Sequence, residues 1–347
     1  MRLRHAVLHV YLEGFTCRIP EEFRSDLRLR SLIPRLRTLN ISAMKSDGDD
    51  LASLICTSGA LSTLILHDSS DISSEGKWSS ALSVDGSLEC NADTFIWDPY
   101  VGLRANPNLD MLTRWFEGGK RCIQRLATTE IGSEGTPHWL VQKLLDASGD
   151  SLEHLFLHFP GVHSRVDYDE LVSIPNLDNN TRLKTLHIAF HHCRPDVTNI
   201  LYTPSARNAF GNLTLMVIRV MAYDMCPDIE SQDLWIGRCD LCLIHPLLNL
   251  VFCFQFTVIQ PPIAGAPRET AIPSGADRTR QKVIRFVQLL PTLHRTGGRV
   301  RFGIVWQTPH SGSFFKKGLD GEHHLPDYFL GDPEWYHPVQ APWDRLY

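Results

Sequence analysis

Apolar residues in this chain recur as a triplet with the spacing L-x-x-L-x-L. It stands at Leu36, Leu39 and Ile41, at Leu61, Leu64 and Leu66, at Leu152, Leu155 and Leu157, and at Leu183, Leu186 and Ile188. Hydrophobic residues make up 43% of the sequence, so one such triplet arises by chance in roughly 8% of windows, and the information lies in the spacing. Leu36 and Leu61 open two successive triplets, and Leu152 and Leu183 open two more at a similar step. The gap between these pairs leaves room for three units of about 30 residues. Weaker triplets fall there, at Ala92, Phe95 and Trp97 and at Ile123, Leu126 and Thr128. Leu3, Ala6 and Leu8 precede the series, and Leu215, Ile218 and Val220, then Leu247, Leu250 and Phe252, follow it.

A triplet of this kind is a short strand with one apolar face. A single strand cannot bury that face, so stacked neighbours must bury it together, which is why such units come in arrays. The return paths read as amphipathic helices. Asp49 to Cys56 carries Leu51, Leu54 and Ile55 on one stripe, with Gly59 as a stop. Pro107 to Phe116 carries Leu109, Leu112, Trp115 and Phe116. Pro137 to Ala147 carries Trp139, Leu140, Leu144 and Leu145 and ends at Gly149. Asp196 to Phe210 is interrupted by Pro204, which ends or kinks a helix. Strand and helix alternating at this period predict an α/β solenoid, a horseshoe with parallel strands on the concave wall and helices on the convex wall.

The residues resemble leucine-rich repeats of the long, helix-backed kind. The blocks PRLRTLNIS, SLEHLFLHF and TRLKTLHIAF are similar to the degenerate repeats of fungal F-box/LRR proteins. The resemblance runs from residue 1 to about 256 and implies the horseshoe and a protein-binding role, as in the recognition part of an F-box-type ubiquitin-ligase receptor. Two departures qualify it. The family places Asn or Cys three residues beyond the last Leu, where this chain has Met44, Ser69, Pro160 and His191, so an irregular array is expected. No F-box is recognisable ahead of the repeats, so adaptor binding is not carried over. A truncated or degenerate gene product is the alternative reading of that opening.

The domain organisation follows: an array over 1–259, a loop or linker over 260–280, a helix and strand over 281–308 that cap the open end, and a Pro- and aromatic-rich tail over 309–347. The linker reads QPPIAGAPRETAIPSGADRTR. The cap helix sets Val283, Ile284, Val287 and Leu290 on one face, and Val300 to Trp306 alternates as a last strand. Trp335, Tyr336, Trp343 and Tyr347 in the tail are expected to pack back on the array or to anchor a partner.

Composition narrows the partner. Formal net charge is −5, from 34 basic and 39 acidic residues mixed along the chain, with no basic run that would mark a nucleic-acid or membrane surface. The most apolar run, Leu247 to Val258, is too short to span a bilayer and contains Asn249 and Gln255. The apolar stretch Ala6 to Leu12 is broken by His9, a poor signal peptide, so an intracellular protein, cytoplasmic or nuclear, with reduced thiols at its nine cysteines is expected. The sequons at Asn40, Asn179 and Asn212 then carry no glycan. No nucleophile elbow, phosphate-binding loop, dinucleotide fingerprint or HExxH helix occurs, so no enzyme and no cofactor is expected.

Two sets of residues are candidates for function. Side chains alternate across a strand, so the positions between the inward leucines face the concave wall. These are Thr38, Asn40 and Ser42; Thr63, Ile65 and His67; His154, Phe156 and His158; and Thr185, His187 and Ala189, with His5, Val7 and His9 on the first strand. They form a wall of Thr, His and scattered apolar residues, the expected partner surface. The second set is Cys226, Cys239, Cys242 and His245, whose C-x-x-C followed by His suits a tetrahedral zinc. Leu241, Leu243 and Ile244 around it suit buried thiols instead. His191, His192 and Cys193, and His323 and His324, are read as ordinary surface groups, and the acidic runs Asp47, Asp49, Asp50 and Asp167, Asp169, Glu170 as solvated loops or helix starts. Metal analysis of the purified chain separates the two readings of the cysteine cluster: about one zinc per chain makes it a ligand set, and none makes it buried thiols.

Overall fold

The structure is a computed structural model. It describes residues 8–13, 36–42, 46–47, 60–67, 72–73, 90, 92–98, 116, 123–129, 131, 136–159, 175–191, 200, 209–222, 249–257, 300–307 and 334–336, with backbone alone at some strand positions. The chain divides into two compact units, one of Met1–Pro160 with Pro175–Leu183 and one of Gly161–Ile174 with Lys184–Tyr347.

In the first unit six strands pair in chain order and all run parallel: β1 (Leu8–Glu13), β2 (Leu36–Ser42), β4 (Thr63–His67), β6 (Thr94–Asp98), β7 (Arg125–Thr128) and β8 (His154–Phe159). The two-residue strands β3 (Ser46–Asp47) and β5 (Ile72–Ser73) form a separate parallel pair. In the second unit β9 (Thr185–His191), β10 (Leu215–Ala222), β11 (Asn249–Thr257) and β12 (Val300–Gln307) are again parallel neighbours in chain order. The short β13 (Glu334–Tyr336) pairs antiparallel with β12, setting Trp335 opposite Gly303. The tail therefore supplies the strand that closes that edge.

The strand register is the register of the triplets. Leu39, Leu64, Phe95, Leu126 and Leu155 lie side by side across five strands, and Ile41, Leu66, Trp97, Thr128 and Leu157 lie side by side two residues on. The first positions Leu36, Leu61, Ala92, Ile123 and Leu152 are all 1% exposed or less. Burying a Leu side chain fully stabilises by about 1.5–3 kcal/mol, and these columns are the core of the unit. The weaker triplets thus belong to the same columns as the strong ones.

Two triplets at the ends are shifted. On β1 the pairs are Val10 with Leu39 and Leu12 with Ile41, so Leu3, Ala6 and Leu8 sit four residues too early. On β10 Met216 pairs with Leu186 and Ile218 with Ile188, so the triplet is Leu213, Met216 and Ile218 rather than Leu215, Ile218 and Val220. Leu213, Met216 and Ile218 are each 2% exposed or less. On β11 Leu250 and Phe252 continue the register as expected.

The turn into each strand repeats as well. The Arg37 carbonyl accepts from the Ser62 N–H at 2.8 Å; the Ser62 carbonyl accepts from Asp93 and Thr94, the Asp93 carbonyl from Gln124 and Arg125, and the Gln124 carbonyl from Glu153 and His154, at 2.7–3.0 Å. In the second unit the Lys184 carbonyl accepts from Thr214 and Leu215 in the same way. One carbonyl holding two N–H groups of the next strand leaves no backbone donor unpaired at these turns.

One return path is described in full. Helix α1 (His138–Ser148) buries Leu140, Val141, Leu144 and Leu145. Trp139, expected on that stripe, is instead 45% exposed, and Val141 takes its place. Lys143, one turn on, lies 5.3 Å from the Trp139 ring. Pro137 starts the helix with a φ of −66° already close to helical, and Gly149 ends it at a φ of +47°, a left-handed conformation that suits glycine. Elsewhere Phe116, the helical residue described between β6 and β7, packs at a tilt of 47° against Phe95 with ring centroids 4.9 Å apart. The return path therefore packs on the triplet side of the sheet. The predicted helices at Asp49 to Cys56 and over 281–290, and the linker over 260–280, lie outside the described residues.

The end of α1 is held by a residue from the next repeat. Asn180, fully buried, donates from Nδ2 to the Leu145 carbonyl at 3.0 Å and to the Gly149 carbonyl at 2.9 Å. Around it the Asn176 N–H donates to Gln142 Oε1 at 2.7 Å and the Thr181 hydroxyl donates to Asp150 Oδ1 at 2.7 Å. Each carbonyl also accepts a backbone N–H, Leu145 from Gly149 and Gly149 from Leu152 at 3.3 Å, so Asn180 adds a second donor to each at the helix end. Asn180→Ala leaves two buried carbonyls without that donor, and urea denaturation is expected to show a loss of about 2–3 kcal/mol. A loss under about 0.5 kcal/mol would contradict this role.

Candidate functional site

The face opposite the triplets is the candidate site. Register sorts its residues in the first unit into three rows. The row at the strand starts is Thr38, Thr63, Thr94, Arg125 and His154. Thr38, Thr63, Thr94 and His154 are half-buried and Arg125 is exposed. The middle row is Asn40, Ile65, Ile96, Ala127 and Phe156, and apart from the half-buried Ile65 it is buried. The row at the strand ends begins Ser42, His67 and Asp98 and continues through Thr129, one residue past β7, to His158.

This distribution revises the wall expected from the sequence. Thr38, Thr63, Ile65 and His154 are accessible. Asn40, Phe156, His158, Thr185 and His187 are 7% exposed or less, so they are interior groups and not an open surface. Ser42 and His67 are placed by their backbone register alone. The physical reason is visible in the strands. β8 reads HLFLHF and β9 reads TLHIAFH, with apolar residues on both faces, the composition of parallel strands covered on both sides. In the second unit the wall is buried too: His187 pairs with Val217, which pairs with Val251, and these two valines pack together with Leu215 against them. Ala189, also on this face, pairs with the buried Arg219.

A buried polar chain lies at the strand ends. The Trp97 indole N–H donates to the Thr136 hydroxyl at 3.0 Å, and that hydroxyl donates to the Thr129 carbonyl at 2.6 Å. The Thr129 hydroxyl donates to Asp98 Oδ1 at 2.6 Å. Asp98 is 7% exposed and Thr129 1%. A carboxylate that far from water needs donors around it, and Thr129 is one. Neither Asp98 nor Thr129 is among the candidates that the sequence names. The signal is there, because Asp98 follows the Ala92 triplet at the position that His67 occupies after the Leu61 triplet.

His191, expected at the surface, is 7% exposed. Cys226, Cys239, Cys242, His245, His192, Cys193, His323 and His324 lie outside the described residues. Among the described residues no group of three or more His, Cys, Asp or Glu could hold a metal ion, and no helix is long and apolar enough to cross a membrane.

Neighbouring threonines give opposed expectations. Thr128 stands in the apolar column with its hydroxyl buried and without a partner, whereas the Thr129 hydroxyl serves Asp98. Thr128→Val is expected to raise stability by about 1 kcal/mol and Thr129→Val to lower it by about 2 kcal/mol, read from chemical denaturation midpoints. Equal signs for the two would refute this assignment. Comparison with protein-family models finds no match, and comparison with curated protein sequences finds none either.

Proposed function

We propose that each unit is a stretch of leucine-rich-repeat-like solenoid and that the chain is a protein-interaction module, serving as the recognition part of an F-box-type ubiquitin-ligase receptor. The observation that carries the solenoid reading is the strand order. Neighbouring strands follow one another in sequence, without the reversal that creates the ligand crevice of a doubly wound sheet. The triplets, spaced at similar steps along the chain, then fall in one register across β2 to β8. A chain that winds one way at a near-constant period presents a long repetitive surface and no single central pocket.

The surface available to a partner is the row at the strand starts, with Arg37 and Gln124 exposed beside Thr38 and Arg125. It mixes hydroxyls, an amide and positive charge with the nearby Asp93 and Glu153, which suits a protein partner more than a polyanion. The recognition role in a ubiquitin ligase rests on the resemblance of the repeat blocks to F-box/LRR proteins.

A photo-crosslinking amino acid in place of Thr63 tests the binding face against the same amino acid in place of Trp139 on α1. In extract of the source cells the Thr63 site is expected to give one adduct that excess unlabelled chain suppresses, and the Trp139 site none. Adducts of equal strength at both sites, or none at Thr63 in a folded chain, would overturn the proposal.

A further inference from the structure

We propose that Asn40 anchors an extended peptide segment of the protein partner through the main chain of that segment. The inference rests on the binding role proposed above and names what the wall binds. Thr38 and Asn40 stand two residues apart on one face of β2, and Thr63 and Ile65 stand opposite them on β4. Leu39 and Leu64, between them in sequence, are fully buried on the core side. Thr38, Thr63 and Ile65 are half-buried, and Ile65 is the least covered member of the middle row in this unit.

Asn40 itself is 2% exposed, and neither its Oδ1 nor its Nδ2 has a hydrogen-bond partner among the described residues. An amide shut away from water without partners destabilises the folded chain, and a leucine of nearly the same size would not. The fold thus holds, beside three accessible side chains, a donor and an acceptor that it does not use. A side-chain rotation brings that amide to a peptide, and the complex removes the cost that the free chain carries.

Chemistry selects the ligand. An anion offers only acceptors and a metal cation takes only acceptors, so either leaves half of the amide unused. A peptide group uses both halves. In an extended peptide the N–H and C=O of one residue point to the same side. Asn40 Oδ1 accepts from that N–H while Nδ2 donates to that C=O. Such pairs recur on one side at every second residue, about 6.6 Å along the chain. Thr38 and Asn40 are separated by the same two-residue step of β2, so a peptide aligned with β2 sets its next pair at the Thr38 hydroxyl. Ile65, beside Asn40 on the neighbouring strand, offers an apolar seat for one of its side chains.

A phage-displayed library of random linear dodecapeptides tests this on the full chain. The folded chain is expected to select peptides, and fluorescence polarisation measures their synthetic versions. Asn40→Leu is expected to weaken binding about tenfold or more and to raise the urea midpoint of the free chain. A residue with a merely structural role would lower both. N-methylation of the peptide backbone, one residue at a time, is expected to weaken binding by a similar factor at one position, and this scan needs no variant of the chain. Selection of no peptide, binding that Asn40→Leu or every N-methylation leaves unchanged, or a lower urea midpoint in Asn40→Leu would overturn the proposal. An adduct at Thr63 from cell extract without any selected peptide would overturn the peptide reading alone and leave the binding face standing.

Discussion

The structure depends on one constraint: no strand of this chain can bury its own apolar face. A triplet such as Leu61, Leu64 and Leu66 reaches exposures of 1% or less only because triplets stand on both sides of it. Stacking in register is therefore what folds each strand, and a step of one residue would turn every inward side chain outward. The shared carbonyls at Arg37, Ser62, Asp93 and Gln124 fix that step at the start of each strand. The return paths can then vary in length, since they need only bring the next triplet to the same place. This accounts for a shorter step from Leu36 to Leu61 than from Leu61 to Ala92 within one regular sheet.

The second face of the sheet follows a different rule. Its middle row is mainly apolar and mostly buried, its starting row is polar and accessible, and its end row holds buried polar groups. Polar exposure and polar burial are thus separated along a single strand. On β6, Thr94 is half-exposed at the start, Ile96 is covered in the middle, and Asp98 is buried beside the Thr129 hydroxyl at the end.

Much of this is legible from residue spacing. The four strong triplets and the two weak ones between them name the columns that pair, because Leu at a period-two pattern fixes both face and register. Spacing misleads where that pattern blurs. β10 reads LMVIRVMA, apolar at successive positions, and its inward residue is a Met, so Leu215 takes on the look of a first position that Leu213 holds. β1 carries a register shift between Leu8 and His9, which spacing alone does not reveal. The wall is less open than alternation suggests because Phe156 and Ile96, which stand between the inward residues, are as apolar as the leucines themselves. The leucine-rich repeats that these blocks resemble place Asn or Cys three residues after the last Leu of a triplet, where this chain has Met44, Ser69, Pro160 and His191. The asparagine that caps a helix here, Asn180, instead lies three residues before Leu183, and its partners Leu145 and Gly149 belong to the preceding repeat, beyond the reach of a local motif.

The register of the columns is the central claim, and disulfide trapping measures it directly. Two cysteines join without backbone movement only when their Cα atoms lie within about 7 Å. Thr63 pairs with Thr94, about 4.8 Å away on the next strand, whereas Ile96 is two residues farther along. In the native chain, Thr63→Cys with Thr94→Cys is expected to oxidise to a single disulfide, located by peptide mapping, and Thr63→Cys with Ile96→Cys is not. Bond formation by the second pair in place of the first would show that the triplets are stacked in a different register, and the account would fail.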